Sequence, residues 1–329
     1  MITVENLVKT FQIAQRQAGI WGALKGVVHR TYRTISALDG ISFTIKPGEL
    51  VGYIGPNGAG KSTTVKVLSG ILVPDSGRCD IQGRTPWKDR LAHVAQIGVV
   101  FGQRTQLWWD LPVIESFDLL RDIYRVPQTQ YRNTCDELIS LLNLEPLLDV
   151  PVRQLSLGQR MRCDLAASLI HAPSIIFLDE PTIGLDAVSK LAVRDFIKRL
   201  NRERNLTVIL TTHDMDDIEA LCTRVMVIGN GQILSDGTLE DLRSRVTKER
   251  RLTIDLQEMG DISDPDVTVV SREGHRVKLT FDPDRISTAD LIARITAKHP
   301  VRDLFVENTP IEEIISRLYK EQSTMTNDP

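Results

Sequence analysis

Short apolar runs alternate with amphipathic stretches along the chain up to about residue 245. Four apolar runs of strand length predict buried strands, at residues 49–54, 96–101, 174–178 and 206–211. Three stretches with apolar side chains at helical spacing predict helices, at residues 62–68, 187–203 and 214–221. Strands that alternate with helices are typical of an α/β fold, with a mixed, mostly parallel sheet covered on both faces.

A helical region is predicted between the second and third of these strands. Residues 113–124 and 131–142 both carry apolar side chains at helical spacing, and a further helix is predicted at residues 159–170. Because these helices interrupt the alternation with strands, we expect a separate helical subdomain over about residues 104–172.

The pattern changes after residue 245, where the charged run TKERR indicates a boundary. Strands are predicted at residues 252–256, 267–271, 276–281 and 301–306. Helices are predicted at residues 288–298 and 311–319. We therefore expect a first domain at residues 1–245, a small α+β domain at residues 250–322, and a disordered tail at residues 323–329. The last helix has apolar residues that pack either within this domain or against another subunit.

A basic segment lies near the start of the chain, between residues 12 and 36. It carries five basic side chains and no acidic one: Arg16, Lys25, His29, Arg30 and Arg33. Trp21, Leu24, Val28 and Tyr32 recur about one turn apart, so we predict an amphipathic helix that is an insertion. Such a helix either lies on anionic lipid or a membrane subunit, or packs on the domain with its basic residues in solvent.

Composition restricts the class of protein only broadly. The chain has 329 residues and a net charge of −3, so no global bias favours nucleic acid as a partner, and we expect none. No apolar run approaches the roughly 20 residues that span a bilayer, and the first residues do not form a signal peptide. The four cysteines are too far apart in the sequence for a CxxC site.

The clearest chemical motif is a glycine-rich turn between a predicted strand and a predicted helix. It matches the pattern GxxxxGK[ST] and comprises Gly55, Pro56, Asn57, Gly58, Ala59, Gly60, Lys61, Ser62 and Thr63. Backbone N–H groups of such a loop point at phosphates, and the helix that follows adds its positive end. Lys61 would reach the β- and γ-phosphates, and Ser62 would bind Mg²⁺.

Two acids end the third apolar strand. Neighbouring strand residues point to opposite faces, so Asp179 and Glu180 can have different roles. Asp179 suits the coordination shell of Mg²⁺, and Glu180 suits polarisation of an attacking water molecule. The segment Ser156, Leu157, Gly158 and Gln159 opens a predicted helix, where it forms either a simple N-cap or an anion site for a γ-phosphate.

In their order along the chain, these motifs resemble those of the ABC ATPases, a family with the P-loop NTPase fold. The resemblance covers roughly residues 1–245 and also includes Gln103, the segment GLD ending at Asp186, and His213. It implies an ATPase that uses ATP and Mg²⁺ and works as a dimer, most simply a homodimer. It further implies that Gln103 contacts Mg²⁺ and the attacking water, that His213 senses the γ-phosphate, and that Asp186 crosses between two cassettes. The signature residues Ser156 to Gln159 would contact nucleotide held by the second copy.

The sequence departs from the family pattern in three places. Leu157 stands where glycine is commonest. The connection before Gln103 carries one extra residue, which makes Gln106 a second candidate for its role. The aromatic residue that stacks on adenine is either Phe11, counted from the first strand, or Tyr32, counted back from residues 37–38, unless neither stacks.

The stretches FGQRTQLWWDLP and LSLGQRMR, with the C-terminal extension, resemble the branch of multidrug, antibiotic or viologen exporters. This resemblance implies an ATP-driven motor at the cytoplasmic face of the membrane, paired with separate polytopic permease subunits. Trp108 and Trp109 either form part of that interface or pack inside the helical subdomain. The alternatives are an importer, a non-transport ATPase acting on ribosomes or DNA, and a binding module without catalysis. Because Lys61, Asp179, Glu180 and His213 are all present, the sequence favours an active ATPase.

Overall fold

The computed structural model describes residues 1–14, 32–102, 104–258 and 260–325 of the chain. The chain divides into two compact units, Met1–Asp236 and Gly237–Pro329. The predicted basic helix at residues 12–36 lies mostly outside the described residues, and its described ends belong to strands.

A six-stranded sheet forms the centre of the first unit. Its strands are β3 (Leu50–Ile54), β5 (Ile97–Phe101), β6 (Ile175–Asp179), β7 (Thr207–Thr211), β8 (Arg224–Gly229) and β9 (Gln232–Thr238), in the order β5-β6-β7-β3-β8-β9. The pairs β5/β6, β6/β7, β7/β3 and β3/β8 are parallel. Every residue of β3, β6 and β7 is buried, as the continuous apolar runs predict for strands covered on both faces.

Helices connect these strands, and the first of them begins at the phosphate loop directly after β3. They are α1 (Lys61–Leu68), α2 (Arg90–Val94), α3 (Val113–Tyr124), α4 (Gln128–Leu142), α5 (Leu157–Leu169), α6 (Ala187–Arg204) and α7 (Met215–Leu221). Side chains cap three of them: Ser156 caps α5, Asp186 caps α6 and Asp214 caps α7. Each of these side chains accepts a hydrogen bond from a backbone N–H group that has no partner within the first helical turn.

A second sheet of the first unit is antiparallel and has the order β2-β1-β4. It comprises β1 (Ile2–Ala14), β2 (Tyr32–Ile45) and β4 (Ser76–Ile81). Apolar side chains of this sheet, such as Ile2 and Ile45, share one core cluster with Val51 and Tyr53 of β3. The distal part of the β1–β2 ladder, where Phe11 pairs with Ile35, has mostly exposed side chains.

The second unit is a small α+β domain with a four-stranded antiparallel sheet. The sheet has the order β11-β12-β10-β13 and comprises β10 (Arg250–Leu256), β11 (Val267–Glu273), β12 (Arg276–Phe281) and β13 (Val301–Asn308). Its helices are α8 (Leu239–Val246), α9 (Thr288–Lys298) and α10 (Ile311–Met325). Helix α8, which the sequence boundaries assign to the first domain, belongs to this unit, and α10 continues past the predicted start of the tail at residue 323.

The apolar face of α10 is buried within the chain itself. Ile311, Ile314, Ile315 and Leu318 are each at most 6% exposed, and α10 packs against α8. Of the two placements that the sequence left open for these residues, the structure shows the internal one. Among the residues described, no helix has the length and apolarity needed to cross a lipid bilayer.

Candidate functional site

The phosphate loop, residues 55–60, connects β3 to the first turn of α1 and lines a cavity of about 550 Å³. The lining residues are Gly55, Pro56, Asn57, Gly58, Gly60, Lys61, Ser62, Thr63, Glu180, Ile183 and His213. Ala59 is buried at 3% exposure and is not among them. The cavity therefore lies at the N-terminal end of a helix, where backbone N–H groups favour an anion.

Two glycines of this loop are required by close backbone approaches. Gly60 has φ 113°, and a β-carbon there would lie 2.4 Å from the carbonyl oxygen of Ala37. A β-carbon on Gly55 would lie 2.4 Å from the carbonyl oxygen of Ile228. Both distances are too short for a side chain, so the tight path of the loop depends on glycine at these positions.

The Lys61 ammonium group is held inside the loop. Its Nζ donates to the carbonyl oxygens of Gly55, at 2.6 Å, and Pro56, at 3.2 Å. Burial lowers the pKa of Lys61, while the negative charges of Glu180 and Asp179 act in the opposite direction. The loop thus holds a cation beside the space where phosphates of a nucleotide would lie.

Ser62, which lines the cavity, forms a hydroxyl–carboxylate pair with Asp179. Ser62 Oγ donates to Asp179 Oδ1 over 3.3 Å, and Thr211 Oγ1 donates to the same oxygen. Asp179 is only 8% exposed and ends β6, while Thr211 ends the neighbouring strand β7 at the same register position. One carboxylate and one hydroxyl, completed by phosphates and water, are ligands that suit Mg²⁺.

Glu180 and His213 both line the cavity and contact each other. The distance from Nδ1 of His213 to Oε2 of Glu180 is 2.6 Å, and the His213 side chain is 60% exposed. Glu180 has φ 58°, and its N–H donates to the carbonyl oxygen of Thr211 over 2.9 Å. The backbone therefore turns sharply after β6 and directs Glu180 towards the phosphate loop.

Of the two glutamines that the sequence offers for one role, Gln103 lies outside the described residues. Gln106 does not line the cavity. Its N–H donates to Oδ1 of Asp164 over 3.0 Å, and its side-chain Nε2 donates to the Asp164 carbonyl oxygen over 2.9 Å. The side chain of Gln106 is thus engaged with α5, and Gln103 remains the candidate for contacting Mg²⁺ and the attacking water.

The signature segment, residues 155–159, starts α5 and is absent from the described lining of the cavity. Ser156 and Gln159 form a reciprocal capping box, with Ser156 N–H donating to Gln159 Oε1 over 2.8 Å. Gly158 is buried, and a β-carbon there would lie 2.7 Å from Ser189 Oγ. In a single chain these groups cap a helix, and no nucleotide phosphate bound at the phosphate loop would touch them.

Asp186 also lies outside the described cavity lining. Its carboxylate accepts from the N–H of Ser189 at 2.9 Å and from the Ser189 hydroxyl at 2.8 Å, and these bonds lower the pKa of Asp186. The residue therefore caps α6 within the single chain, and the structure leaves its predicted contact with a second cassette as a prediction.

Phe11 and Tyr32 lie at different distances along the β1–β2 ladder from the phosphate loop. Phe11 pairs with Ile35, two residues before Ala37, whose carbonyl oxygen approaches Gly60. Tyr32 is five residues before Ala37 in the sequence. A strand rises about 3.3 Å per residue. Phe11 therefore lies beside a position of β2 that is about 7 Å along the strand from Ala37, whereas Tyr32 is about 17 Å along the same strand from Ala37.

Comparison with known proteins identifies the family. Residues 38–183 match the family model described as ABC transporter. The daunorubicin resistance ATP-binding protein DrrA3 of Streptomyces coeruleorubidus is 35% identical over 233 residues, which are 71% of this chain and 73% of the relative.

The chain belongs to the ABC transporter family. It is an ATP-binding subunit of the transporter type and an ATPase, as the motifs predict, and the P-loop cassette fold predicted from the sequence is confirmed.

Two further relatives extend the comparison of this ABC cassette. The methionine import ATP-binding protein MetN 2 of Enterococcus faecalis is 36% identical, over 63% of this chain and 61% of its own length. A dimeric post-hydrolysis state of the ATP-binding cassette MJ0796, bound to ADP and Pi, has a TM-score of 0.61 and 28% identity. The match covers 73% of this chain and 99% of that one.

Several residues of the cassette's site are absent from the sequence-based prediction. Thr211 contacts Asp179, and Gly102 lies under Glu180, where a β-carbon would be 2.0 Å from the Glu180 carbonyl oxygen. Ile183 adds an apolar side chain to the cavity wall. The only sequence signal for Gly102 is its position directly before Gln103. No motif marks Thr211, because its role depends on the register between β6 and β7.

Proposed function

We propose that this cassette is the ATP-driven motor of an exporter whose membrane-spanning subunits are separate chains. The observation that carries the motor role is the convergence of Lys61, Glu180 and His213 on one cavity with the phosphate loop. A cation for phosphates, a carboxylate for water and an imidazole beside it are the groups that hydrolysis of a phosphoanhydride requires.

We infer that Mg²⁺ binds between Ser62 and Asp179, with Gln103 as a further ligand. The metal would neutralise charge on the phosphate oxygens of ATP. Lys61 would exchange its bonds to the carbonyl oxygens of Gly55 and Pro56 for bonds to the β- and γ-phosphates. The ammonium group already lies in the loop, so this exchange requires a local rearrangement of one side chain.

Glu180 acts on the attacking water in this proposal. Its carboxylate takes a proton from water while the water oxygen forms a bond to the γ-phosphorus and the bond to the β–γ bridging oxygen breaks. The products are ADP and phosphate. His213, whose ring lies 2.6 Å from the Glu180 carboxylate, orients Glu180 and contacts the γ-phosphate.

A second cassette completes the site in this proposal, most simply another copy of this chain. The signature residues do not contribute to the described lining of the phosphate cavity; they are Ser156, Leu157, Gly158 and Gln159. Their helix N-terminus would supply N–H donors to a γ-phosphate held by the partner. Asp186, at the next helix start, would lie at the same interface.

The strand register supports Phe11 as the residue that stacks on adenine. Its ring is 37% exposed and lies beside the part of β2 that contacts the phosphate loop. Tyr32 is 53% exposed and lies further out along the ladder. An adenine attached to phosphates at Lys61 would therefore reach Phe11 first.

A surface for the membrane subunits is proposed around Trp108 and Trp109, which follow Gln103 in the sequence. The two side chains are 38% and 51% exposed, and the guanidinium group of Arg160 lies 5.6 Å from the centre of the Trp109 ring. Partly exposed tryptophans are common at protein interfaces. A cassette held there by polytopic subunits would work peripherally, at the cytoplasmic face of the membrane.

Export is favoured over import by the resemblance of the helical region and C-terminal extension to exporter cassettes. The daunorubicin resistance relative agrees with this direction, whereas the methionine import relative supplies the second candidate function. Because the two relatives have similar identity to this chain, identity alone does not distinguish export from import. The membrane subunits that copurify with the cassette would distinguish them.

The test is a pull-down from native membranes with tagged Glu180→Gln protein in mild detergent and saturating ATP. One or two polytopic proteins at near-equal stoichiometry, identified by mass spectrometry, are expected. The matched control carries Lys61→Ala as well, which removes the phosphate ligand and should lower the ATP-dependent part of recovery. Ribosomal or DNA-bound partners without any polytopic protein would overturn the transporter role. Reconstitution of the recovered subunits in vesicles then gives the direction of transport.

A further inference from the structure

A carboxylate is buried in the middle of the helix that begins at the signature segment. Asp164 lies in α5 and is 4% exposed. A buried carboxylate is unfavourable unless hydrogen bonds compensate for lost hydration. Burial accordingly raises the pKa of Asp164 to about 6, against the opposite effect of its hydrogen bonds and of Arg160. The residue therefore has an energetic cost that its contacts must offset.

The hydrogen-bond donors to this carboxylate come from the loop directly after Gln103. Thr105 Oγ1 donates to Asp164 Oδ1 over 2.8 Å, and the N–H of Gln106 donates to the same oxygen over 3.0 Å. The Gln106 side chain donates to the Asp164 carbonyl oxygen over 2.9 Å. Leu107 N–H donates to Thr105 Oγ1 over 3.1 Å, so one side chain of α5 organises the whole turn.

The same loop contacts the region around the start of α5 at two more points. The guanidinium group of Arg160 lies over the ring of Trp109, 5.6 Å from its centre. Arg153 donates to Asp110 over 2.6 Å. These outer contacts involve exposed or half-buried side chains and contribute little to rigidity. Asp164 makes the buried contact of the three, and its loop partner Thr105 lies nearest in sequence to Gln103.

We propose that Asp164 is a positioning residue for ATP hydrolysis, which fixes the loop after Gln103 to α5 so that the two change position together when nucleotide binds. In the proposed function, Gln103 acts at the chain's own nucleotide site, whereas Ser156 at the start of α5 acts on the nucleotide of the second cassette. The proposal rests on the roles proposed above for these two residues. Asp164 is not among the described residues that line the phosphate cavity, and its effect passes through Thr105 and Gln106.

A purely structural role makes a different prediction. If Asp164 only stabilised the helical subdomain, its removal would lower the melting temperature and leave the turnover of folded protein unchanged. If it positions the loop, removal lowers kcat at temperatures where the protein is fully folded. KM for ATP then stays nearly constant, because the phosphate loop that binds ATP is untouched.

The experiment compares Asp164→Ala, Asp164→Asn and Thr105→Val with the matched control Ser168→Ala. Ser168 is buried in the same helix, but its hydroxyl donates to Leu165 O within α5 and does not contact the loop. We expect Asp164→Ala to lower kcat about 10-fold with less than about a 3-fold change in KM, and Ser168→Ala to lower it less than about 2-fold. Asp164→Asn keeps an acceptor at the Oδ1 position and should retain most of the rate.

A double-mutant cycle tests whether the contact itself matters. Thr105→Val removes the hydroxyl that donates to Asp164, so we expect about a 3- to 10-fold loss of kcat alone. The double variant Thr105→Val/Asp164→Ala should be no slower than Asp164→Ala, because both substitutions remove the same interaction. Additive losses would overturn the proposal, since they would mean that the two residues act independently.

A fluorescence measurement reports the position of the loop directly. With Trp21 and Trp87 replaced by Phe, Trp108 and Trp109 are the remaining tryptophans. In Glu180→Gln protein, saturating Mg-ATP should change their emission, and Asp164→Ala should abolish most of that change. An unchanged response and unchanged kcat in Asp164→Ala would overturn the proposal, as would an equal loss in Ser168→Ala. If Asp164→Ala does not fold, Thr105→Val takes its place, with Asp164→Asn expected to retain most of the rate. An unchanged fluorescence response and an unchanged kcat in Thr105→Val would then overturn the proposal.

Measurements on the wild-type chain distinguish a failure of this proposal from a failure of the proposed function. If the chain with Asp164 intact neither binds nor hydrolyses ATP, the assignment of the nucleotide site is wrong. If it does both, and only the dependence on Asp164 is missing, the positioning role alone is wrong.

Discussion

Nδ1 of His213 lies 2.6 Å from Oε2 of Glu180, although the two residues are 33 positions apart in the sequence. They meet because β6 and β7 are adjacent and in parallel register, with Asp179 level with Thr211. Glu180 follows the first strand directly, and His213 follows the second after one further residue. Parallel strands therefore deliver both groups to the same edge of the sheet, next to the phosphate loop.

Replacing Glu180 by Gln should abolish most hydrolysis while preserving nucleotide binding. The amide cannot accept a proton from water, so we expect kcat to fall by at least about 100-fold. ATP should then hold two chains together, which size-exclusion chromatography with Mg-ATP would detect. The exposed Glu115→Gln on α3 is a matched control with wild-type turnover expected. Normal turnover of Glu180→Gln, or a monomer at saturating ATP, would contradict the assignment.

Single substitutions test which of Phe11 and Tyr32 stacks on adenine. Phe11→Ala should raise KM for ATP by about 10-fold, because stacking on a base contributes on the order of 1–3 kcal/mol. Tyr32→Ala should change KM less than about 2-fold. Steady-state phosphate release at varied ATP concentration measures both, with GTP as a comparison nucleotide. The reverse order of effects would transfer the role to Tyr32.

Leu157, which stands where the family signature most often has glycine, lies close to Gly184 in the loop before Asp186. A β-carbon on Gly184 would lie 2.8 Å from Cδ2 of Leu157, and Gly184 has φ 71°. Gly184→Ala should therefore destabilise the protein twice, through its backbone conformation, by about 1–2 kcal/mol, and through a clash with Leu157. Adding Leu157→Ala should relieve the clash alone, so part of the lost stability and turnover should return.

Gly40 supplies the matched control for this test. It also has φ 71°, but no atom lies within 4 Å of the position of its missing β-carbon. Gly40→Ala should thus show only the conformational cost in a thermal unfolding experiment. Equal losses for Gly40→Ala and Gly184→Ala, with no recovery in the Leu157 double variant, would mean that the contact with Leu157 has no influence.

The stability of the first unit should depend on pH through Asp164. Burial raises the pKa of this carboxyl to about 6 from its ordinary value of 3.8. Between these values the folded chain binds more protons than the unfolded chain, so the contribution to stability is complete below about pH 4 and is lost as the pH rises through 6. The shift corresponds to on the order of 3 kcal/mol.

Asp164→Asn removes the titrating group and should remove this part of the pH dependence. Urea unfolding followed by tryptophan fluorescence at about pH 4.5, 5.5 and 7 measures it, since all four tryptophans lie in the sequence of the first unit. Relative to wild type, the variant should gain stability as the pH rises. A constant difference between the two proteins across this range would contradict the shift.

The sequence was sufficient for much of the fold and for the centre of the site. Apolar runs of strand length placed β3, β5, β6 and β7 within a few residues, because strands buried on both faces have few polar positions. The phosphate loop was recognised from residues 55–63 alone, since its chemistry depends on glycines, a lysine and a hydroxyl at short fixed spacing. The roles expected for Asp179 and Glu180 followed from their position at the end of a strand.

Other parts of the site depended on distant residues and had no local pattern. The helix predicted for residues 12–36 does not extend over its described ends, because Tyr32 continues a β-ladder with Ala14. Counting along the chain left both Phe11 and Tyr32 as candidates, whereas the strand register places the two residues at different distances from the phosphate loop. Spacing alone made Gln106 a second candidate for the role of Gln103. The structure shows that Gln106 is hydrogen-bonded to Asp164, 58 positions away, and does not line the cavity.

The sequence by itself determined which chemical groups this protein has and which short segments hold them, because turns, strand ends and helix starts are set by neighbouring residues. Only the tertiary structure decided which of these groups meet. The contacts of Thr211 with Asp179, Leu157 with Gly184, and Thr105 with Asp164 join residues far apart in sequence. Such pairs are fixed by strand register and helix packing, which depend on how the whole core fills space and not on any one segment.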